Sequence, residues 1–145
     1  MHVAVFNGSP RRNGNTARLC KLFCETLAAE DISSEIIQVG GVRVHGCLEC
    51  NHCRRSGEEV CVQKDDPFNE WFEKMRAADG IVLATPVFVG NVTSEMKALI
   101  DRACYISRMR VRVQGQDNIF KHKVAAPLIA VRRAGAMQAY FNIMS

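Results

Sequence analysis

Seven of the 145 residues are cysteine, and four of them fall between positions 47 and 61. Cys47, Cys50 and Cys53 are each separated by two residues, and Cys61 follows after seven more. Three closely spaced thiolates with a fourth nearby can each take one corner of an iron–sulfur cubane, for which thiolate is the usual ligand. Zinc is the main rival, although structural zinc sites usually come as two separated pairs. Such a site could also draw on His45 or His52. A disulfide pair or a set of reduced thiols is the plain alternative. The odd cysteine count, with no room for a signal peptide ahead of a strand entered at His2, argues for a reducing, cytoplasmic compartment.

A second group of chemistry-bearing residues lies in Gly8-Ser9-Pro10-Arg11-Arg12-Asn13-Gly14-Asn15-Thr16. Its glycines let backbone approach a ligand, Ser9 and Thr16 carry hydroxyls, and Asn13 and Asn15 carry amides. If a helix follows, its free N–H groups and positive dipole end complete a phosphate site. The loop is neither a Walker loop nor a GxGxxG dinucleotide fingerprint. The competing reading is a polar turn in which Asn15 or Thr16 caps a helix. A third segment, Pro86-Val87-Phe88-Val89-Gly90-Asn91, is apolar where a sheet should meet solvent. It can wall a flat aromatic cofactor and offer backbone N–H groups to it, or it can be a buried turn over the core. Arg132, Arg133 and Gly135 form a basic turn further on.

The elements that must position these groups are legible as periodicities. Residues 3–6 (VAVF), 35–39 (EIIQV), 80–85 (GIVLAT) and 125–131 (AAPLIAV) read as strands, with Pro127 placing the last near an edge or a bulge. Leu19, Cys20, Phe23, Cys24 and Leu27 recur at helical spacing, so a first helix runs over about 15–29, with Cys20 and Cys24 as core thiols. Asp66-Pro67 opens a helix to about residue 78, with Asp66 as N-cap and Pro67 at the first helical position. Met96, Leu99, Ile100, Ala103 and Cys104 mark a third helix, with Cys104 closing its buried stripe. Residues 105–123 read as polar, basic and irregular, and a last helix begins after Gly135. Residues 44–64 read as a cysteine-rich loop. Strands alternating with helices predict an α/β fold with an open parallel sheet and helices on both faces. Ligands then bind beyond the carboxyl ends of the strands, after strands one and three.

Composition excludes several classes. With 48% hydrophobic and 23% charged residues the chain reads as one globular domain over 1–145,. No apolar run approaches the ~20 residues of a membrane span. A net charge of +4 is too weak to imply nucleic acid. The basic residues Arg108, Arg110, Arg112, Lys121 and Lys123 read as a solvated stretch that could also meet a nicotinamide phosphate or an acidic carrier.

NGSPRRNGNT, followed by ATPVFVGNVTSEMKALIDR, resembles the flavodoxin-fold NAD(P)H-dependent FMN reductases over about residues 1–140. The resemblance implies a sheet of order 2-1-3-4-(5). It implies that the first loop wraps the FMN phosphate, through Ser9, Arg11, Asn13, Gly14, Asn15 and Thr16. The segment from Pro86 through Asn91 would lie along the isoalloxazine ring, and Arg132, Arg133 and Gly135 near it. The family usually has Tyr where this chain has Phe88, so a hydroxyl is lost there. The cysteine segment is similar to the compact motif of the iron–sulfur flavoprotein branch, which implies a 4Fe–4S cluster on Cys47, Cys50, Cys53 and Cys61. The likeness implies an oxidoreductase passing electrons between NAD(P)H or a ferredoxin-like donor and a small-molecule, quinone or protein acceptor. A homo-dimer or homo-tetramer is implied too. A cluster-free FMN or quinone reductase and a non-enzymatic carrier are the alternatives. Four strands where the fold has five lead to the expectation that the C-terminal end of the domain is missing.

Overall fold

The computed structural model describes residues 1–144. In chain order it contains β1 (His2–Asn7), α1 (Asn15–Ala29), β2 (Ser33–Gln38), α2 (His52–Ser56), α3 (Phe68–Ala77), β3 (Gly80–Pro86), α4 (Ser94–Gln114), β4 (Val124–Ala130) and α5 (Ala136–Met144). The four strands are parallel, in the order β2-β1-β3-β4. The α/β, flavodoxin-like class expected from the sequence is therefore what forms.

Strand alternation distributes the core. Val3 and Val5 face α1, packing with Cys20, Val82 and Ala84. Ala4 and Phe6 turn to the other face and join Phe68, Trp71 and Phe72 of α3, Met96 and Leu99 of α4, and Ala139 of α5. Successive side chains of a strand point to opposite faces, so two layers of helices need two interleaved apolar sets. β1 supplies both because it lies inside the sheet. β4 is an edge of the described sheet, which is where Pro127, paired with Leu83, is tolerated,. No helix among the described residues is long and apolar enough to cross a membrane.

Several local expectations need correction. The third helix does not stop near Cys104 but runs to Gln114, so residues 105–114 are helical, not irregular. The apolar stripe fades there because that half of α4 packs on a polar segment. Cys104 is exposed: Ala103 and Ile106 take the buried face, and the thiol falls on the flank. The cysteine-rich loop contains a short helix, α2. Pro67, not Asp66, occupies the cap position of α3, although Asp66 Oδ1 accepts from the Phe68 N–H at 3.2 Å. Leu19 is 38% exposed and lines an open cavity at the carboxyl edge of the sheet. Ser145 lies outside the described residues.

Candidate functional site

The loop after β1 is braced from both neighbours before it reaches α1. The Gly8 N–H donates to Ala84 O of β3 at 2.7 Å, and Thr93 Oγ1 donates to Gly8 O at 2.9 Å. From the other side, Gln38 Nε2 at the end of β2 donates to Ser9 O at 2.7 Å and to Gly40 O at 2.6 Å. Gly40 lies flat on the loop: a Cβ there would sit 2.3 Å from Gly8 O. Within the turn, the Ser9 N–H donates to Asn7 Oδ1, the Arg11 N–H to Ser9 Oγ and the Gly14 N–H to Arg11 O. The loop is thus held while its far side stays open.

Gly14 occupies the cap position of α1, no side chain caps it, and the first turn carries no acidic residue. The Asn15, Thr16 and Ala17 N–H groups therefore have no intrahelical acceptor. Neither Asn15 nor Thr16 acts as a cap, so the polar-turn reading loses its mechanism. An uncapped helix start with Arg11 and Arg18 beside it is suited to an anion.

Beyond β3 the chain makes a tight reversal. The Phe88 N–H donates to Asn91 O at 2.9 Å and the Asn91 N–H to Phe88 O at 3.0 Å. The two central residues both have positive φ, 49° at Val89 and 76° at Gly90, the signature of a type I′ hairpin turn. Gly135, at φ +94°, packs against this hairpin, where a Cβ would lie 2.8 Å from Gly90 Cα and from Val87 Cγ1. Phe88 is half exposed and Val89 fully so; the segment is a projecting wall, not a buried turn.

Between loop and wall lies an open cavity of about 920 Å³. Ser9, Arg11, Gly14, Asn15 and Thr16 line one end. Pro86, Val87, Phe88 and Arg132 line the other. Asn13, Val89, Gly90, Asn91, Arg133 and Gly135 are not part of the lining; of these, Gly90, Asn91 and Gly135 shape the wall from behind. The sequence reading missed Arg18, the exposed Leu19 and Leu22, and residues 129–131 at the end of β4. The signal for Leu19 was present in the α1 periodicity, but it pointed to the core.

Cys47, Cys50, Cys53 and Cys61 gather around a second, small pocket, with Arg102, Tyr105 and Ile106 of α4 behind it. All four are free thiols. Burial first, then the neighbouring Cys47, Cys50 and Cys61, push the Cys53 thiol up. The Glu49 N–H donates to Cys47 Sγ at 3.4 Å, and Gln63 Nε2 points to Cys61 Sγ at 3.9 Å. Among the described residues, no three His, Cys, Asp or Glu side chains are placed to hold a single metal ion. Around one zinc ion, sulfurs at ~2.3 Å from the metal would stand only ~3.8 Å apart. The pocket itself is about 20 Å³, room for a water molecule. The donor chemistry of the four thiols suits an iron–sulfur cluster.

The unanticipated half of α4 holds this segment. Tyr105 Oη donates to Asn51 Oδ1 at 2.8 Å, and Gln114 Nε2 to Gly57 O at 2.9 Å. Arg110 pairs with Glu59, while Lys121 pairs with Asp117 and Lys123 Nζ donates to Arg76 O at 2.8 Å. Arg110 and Lys123 are thus engaged within the fold, whereas the Lys121–Asp117 pair is exposed and fits the solvated reading.

Comparison with known proteins agrees with this fold. The model of the family described as NADPH-dependent FMN reductase matches residues 1–144. An iron–sulfur flavoprotein of Methanocaldococcus jannaschii is 38% identical over 103 residues, which are 71% of this chain and 52% of that protein. One from Archaeoglobus fulgidus is 32% identical over 146 residues, 99% of this chain and 67% of that one. The chain thus spans about half the length of the first relative and two thirds of the second. In fold it resembles an FMN-dependent NADH-azoreductase from Bacillus anthracis solved in complex with FMN, with a TM-score of 0.66 at 13% identity, covering 97% of this chain and 74% of that one. With the match running through every described element, the chain belongs to the NADPH-dependent FMN reductase family.

Proposed function

We propose that this chain is the FMN-binding part of an oxidoreductase of the iron–sulfur flavoprotein type. It takes electrons from NAD(P)H or a ferredoxin-like donor and passes them to a small-molecule, quinone or protein acceptor. The observation that carries the reading is the cavity at the carboxyl end of β1 and β3, with an uncapped helix at one end and an apolar wall at the other. In an open parallel sheet of this order, that is where FMN binds. When bound, the flavin supplies two-electron uptake and single-electron release, and a 4Fe–4S group supplies one-electron exchange.

The residues of the chain bind and orient. The N–H groups at the start of α1 and the Ser9 and Thr16 hydroxyls would hold the phosphate, with Arg11 and Arg18 balancing its charge. Val87 and Phe88 would cover one face of the ring and exclude water from it, and Arg132 brings positive charge to the rim. Leu19 and Leu22 supply apolar surface on the helix side. Cys47, Cys50, Cys53 and Cys61 would hold the cluster, a reading supported by relatives named iron–sulfur flavoproteins. No side chain need move a proton for this chemistry, so none is assigned as an acid or base.

Flavin, iron and acid-labile sulfide content of anaerobically purified protein tests the proposal. FMN together with iron and sulfide is expected, with the cluster absorbance lost in Cys50→Ala and the flavin bands kept. Flavin without iron and sulfide would reduce the reading to a cluster-free reductase. Failure to take up FMN on reconstitution would overturn it altogether.

A further inference from the structure

Arg102 is 1% exposed and Asp66, its partner at 2.5 Å, has a fully buried side chain. Burying an ion pair costs desolvation of both charges, and well-packed apolar residues often serve stability as well or better. What this pair does beyond packing is visible in its other bonds. Arg102 Nη1 donates to His45 O at 3.1 Å and Nη2 to Gln63 O at 3.3 Å. Asp66 Oδ2 accepts the His45 N–H at 2.9 Å. His45 and Gln63 stand two residues outside Cys47 and Cys61, the first and last cysteines of the set. One buried pair therefore grips both ends of the four-cysteine segment. The guanidinium lies over the Phe68 ring, its Cζ 4.0 Å from the centroid. Its Nε is buried without a hydrogen-bond partner, and Arg102 lines the cysteine pocket itself.

We propose that Arg102 is the positioning residue of the four-cysteine pocket: it clamps the two ends of the segment and presents a positive group to an anionic thiolate-ligated cluster. The charge role rests on the proposed cluster, whereas the clamp does not. A lysine keeps the charge and loses the planar fork that reaches two carbonyls at once. Gln63 extends the clamp to a sulfur, since its carbonyl accepts from Arg102 while its amide points to Cys61 Sγ. Hydrogen bonds and charge around the sulfurs are established levers on cluster potential.

The test uses Arg102→Lys and the paired Arg102→Met/Asp66→Asn, which leaves no unpaired buried charge. Amide hydrogen exchange of the protein reads the clamp. Residues 45–63 should exchange about tenfold faster in Arg102→Lys while β1 and β3 keep their protection. A redox titration of the cluster followed by electron paramagnetic resonance reads the charge. Arg102 lines the cysteine pocket and Asp66 does not, so removing the pair takes away the charge nearer the sulfurs. The paired variant should disfavour the reduced cluster about tenfold, ~59 mV for one electron, and Arg102→Lys should stay near the parent value. Unchanged exchange in Arg102→Lys would overturn the clamp, and an unchanged potential in the paired variant would overturn the charge role. If the paired variant does not fold, an Arg102→Lys potential displaced as far as its exchange would also overturn the charge role. Parent protein without iron and sulfide would remove the cluster and the charge role together, with the exchange data still deciding the clamp.

Discussion

Gly40→Ala puts the proposed phosphate loop to a quantitative test, because the three atoms nearest an added Cβ all belong to the loop's backbone. The added Cβ would stand 2.3 Å from Gly8 O, 2.3 Å from Ser9 C and 2.5 Å from Gly8 C, where ordinary contact begins at 3.4 Å. Backbone atoms cannot rotate away, so Gly8 and Ser9 must separate from Gly40 by about 1 Å. That movement breaks or stretches the two Gln38 Nε2 bonds, to Ser9 O and Gly40 O. Losing them costs about 0.5–1.5 kcal/mol each, and overpacking adds about 1–3 kcal/mol. If at least ~2 kcal/mol of this falls on the ligand-ready geometry, FMN affinity drops ~30-fold or more. Quenching of flavin fluorescence on titration gives the affinity, and circular dichroism confirms that the variant is folded at the assay temperature. Gly46→Ala is the control, since a Cβ there meets nothing within 4 Å. A folded Gly40→Ala protein that binds FMN within about threefold of the parent would refute the assignment of this loop to the phosphate.

A strained turn and a buried charge yield two more expected outcomes. Val89 holds a left-handed φ of 49° while fully exposed, so Val89→Asn, which creates the Asn-Gly pair favoured in this turn, should relieve about 1 kcal/mol. Differential scanning calorimetry should register a rise of about 2–5 °C. Burial opposes ionisation of Asp66. The Arg102 hydrogen bond, with those from the His45 and Phe68 N–H groups, outweighs it and holds the carboxyl below its usual range. A folded-state value below the unfolded one stabilises the fold above the ordinary carboxylate range, and that contribution is lost as pH falls through the lowered value. Urea midpoints measured on acidification should therefore fall less steeply in Arg102→Met/Asp66→Asn than in the parent, and parallel curves would refute the sign.

Much of the molecule was legible from residue order alone. The strands, the span of α1 and the parallel βαβ logic follow from apolar periodicity, which depends on local spacing and on which face is buried. The loop after β1 could be singled out because the phosphate site proposed for it requires small and polar residue types in a fixed order beside a helix start. The four cysteines stood out for the same reason: thiols at such close spacing serve ligation or redox exchange far more readily than packing. What the periodicity misjudged shares one cause. Leu19 looks like a core residue, since an apolar cavity wall and a core produce the same pattern. Cys104 fits the buried stripe by spacing, yet it is exposed and lines an open cavity with Asn142 and Ile143 of α5. Residues 105–114 lack a stripe because their partner is a polar segment, so helicity there depends on contacts with Asn51, Gly57 and Glu59. The grip of Arg102 and Asp66 on His45 and Gln63 joins positions up to 57 residues apart. No local pattern encodes such a pair, because an arginine reads as solvated until the chain has folded around it. Sequence by itself determined which groups can do chemistry and the elements that carry them; only tertiary structure decided which groups meet, since burial and partner geometry belong to the assembled fold.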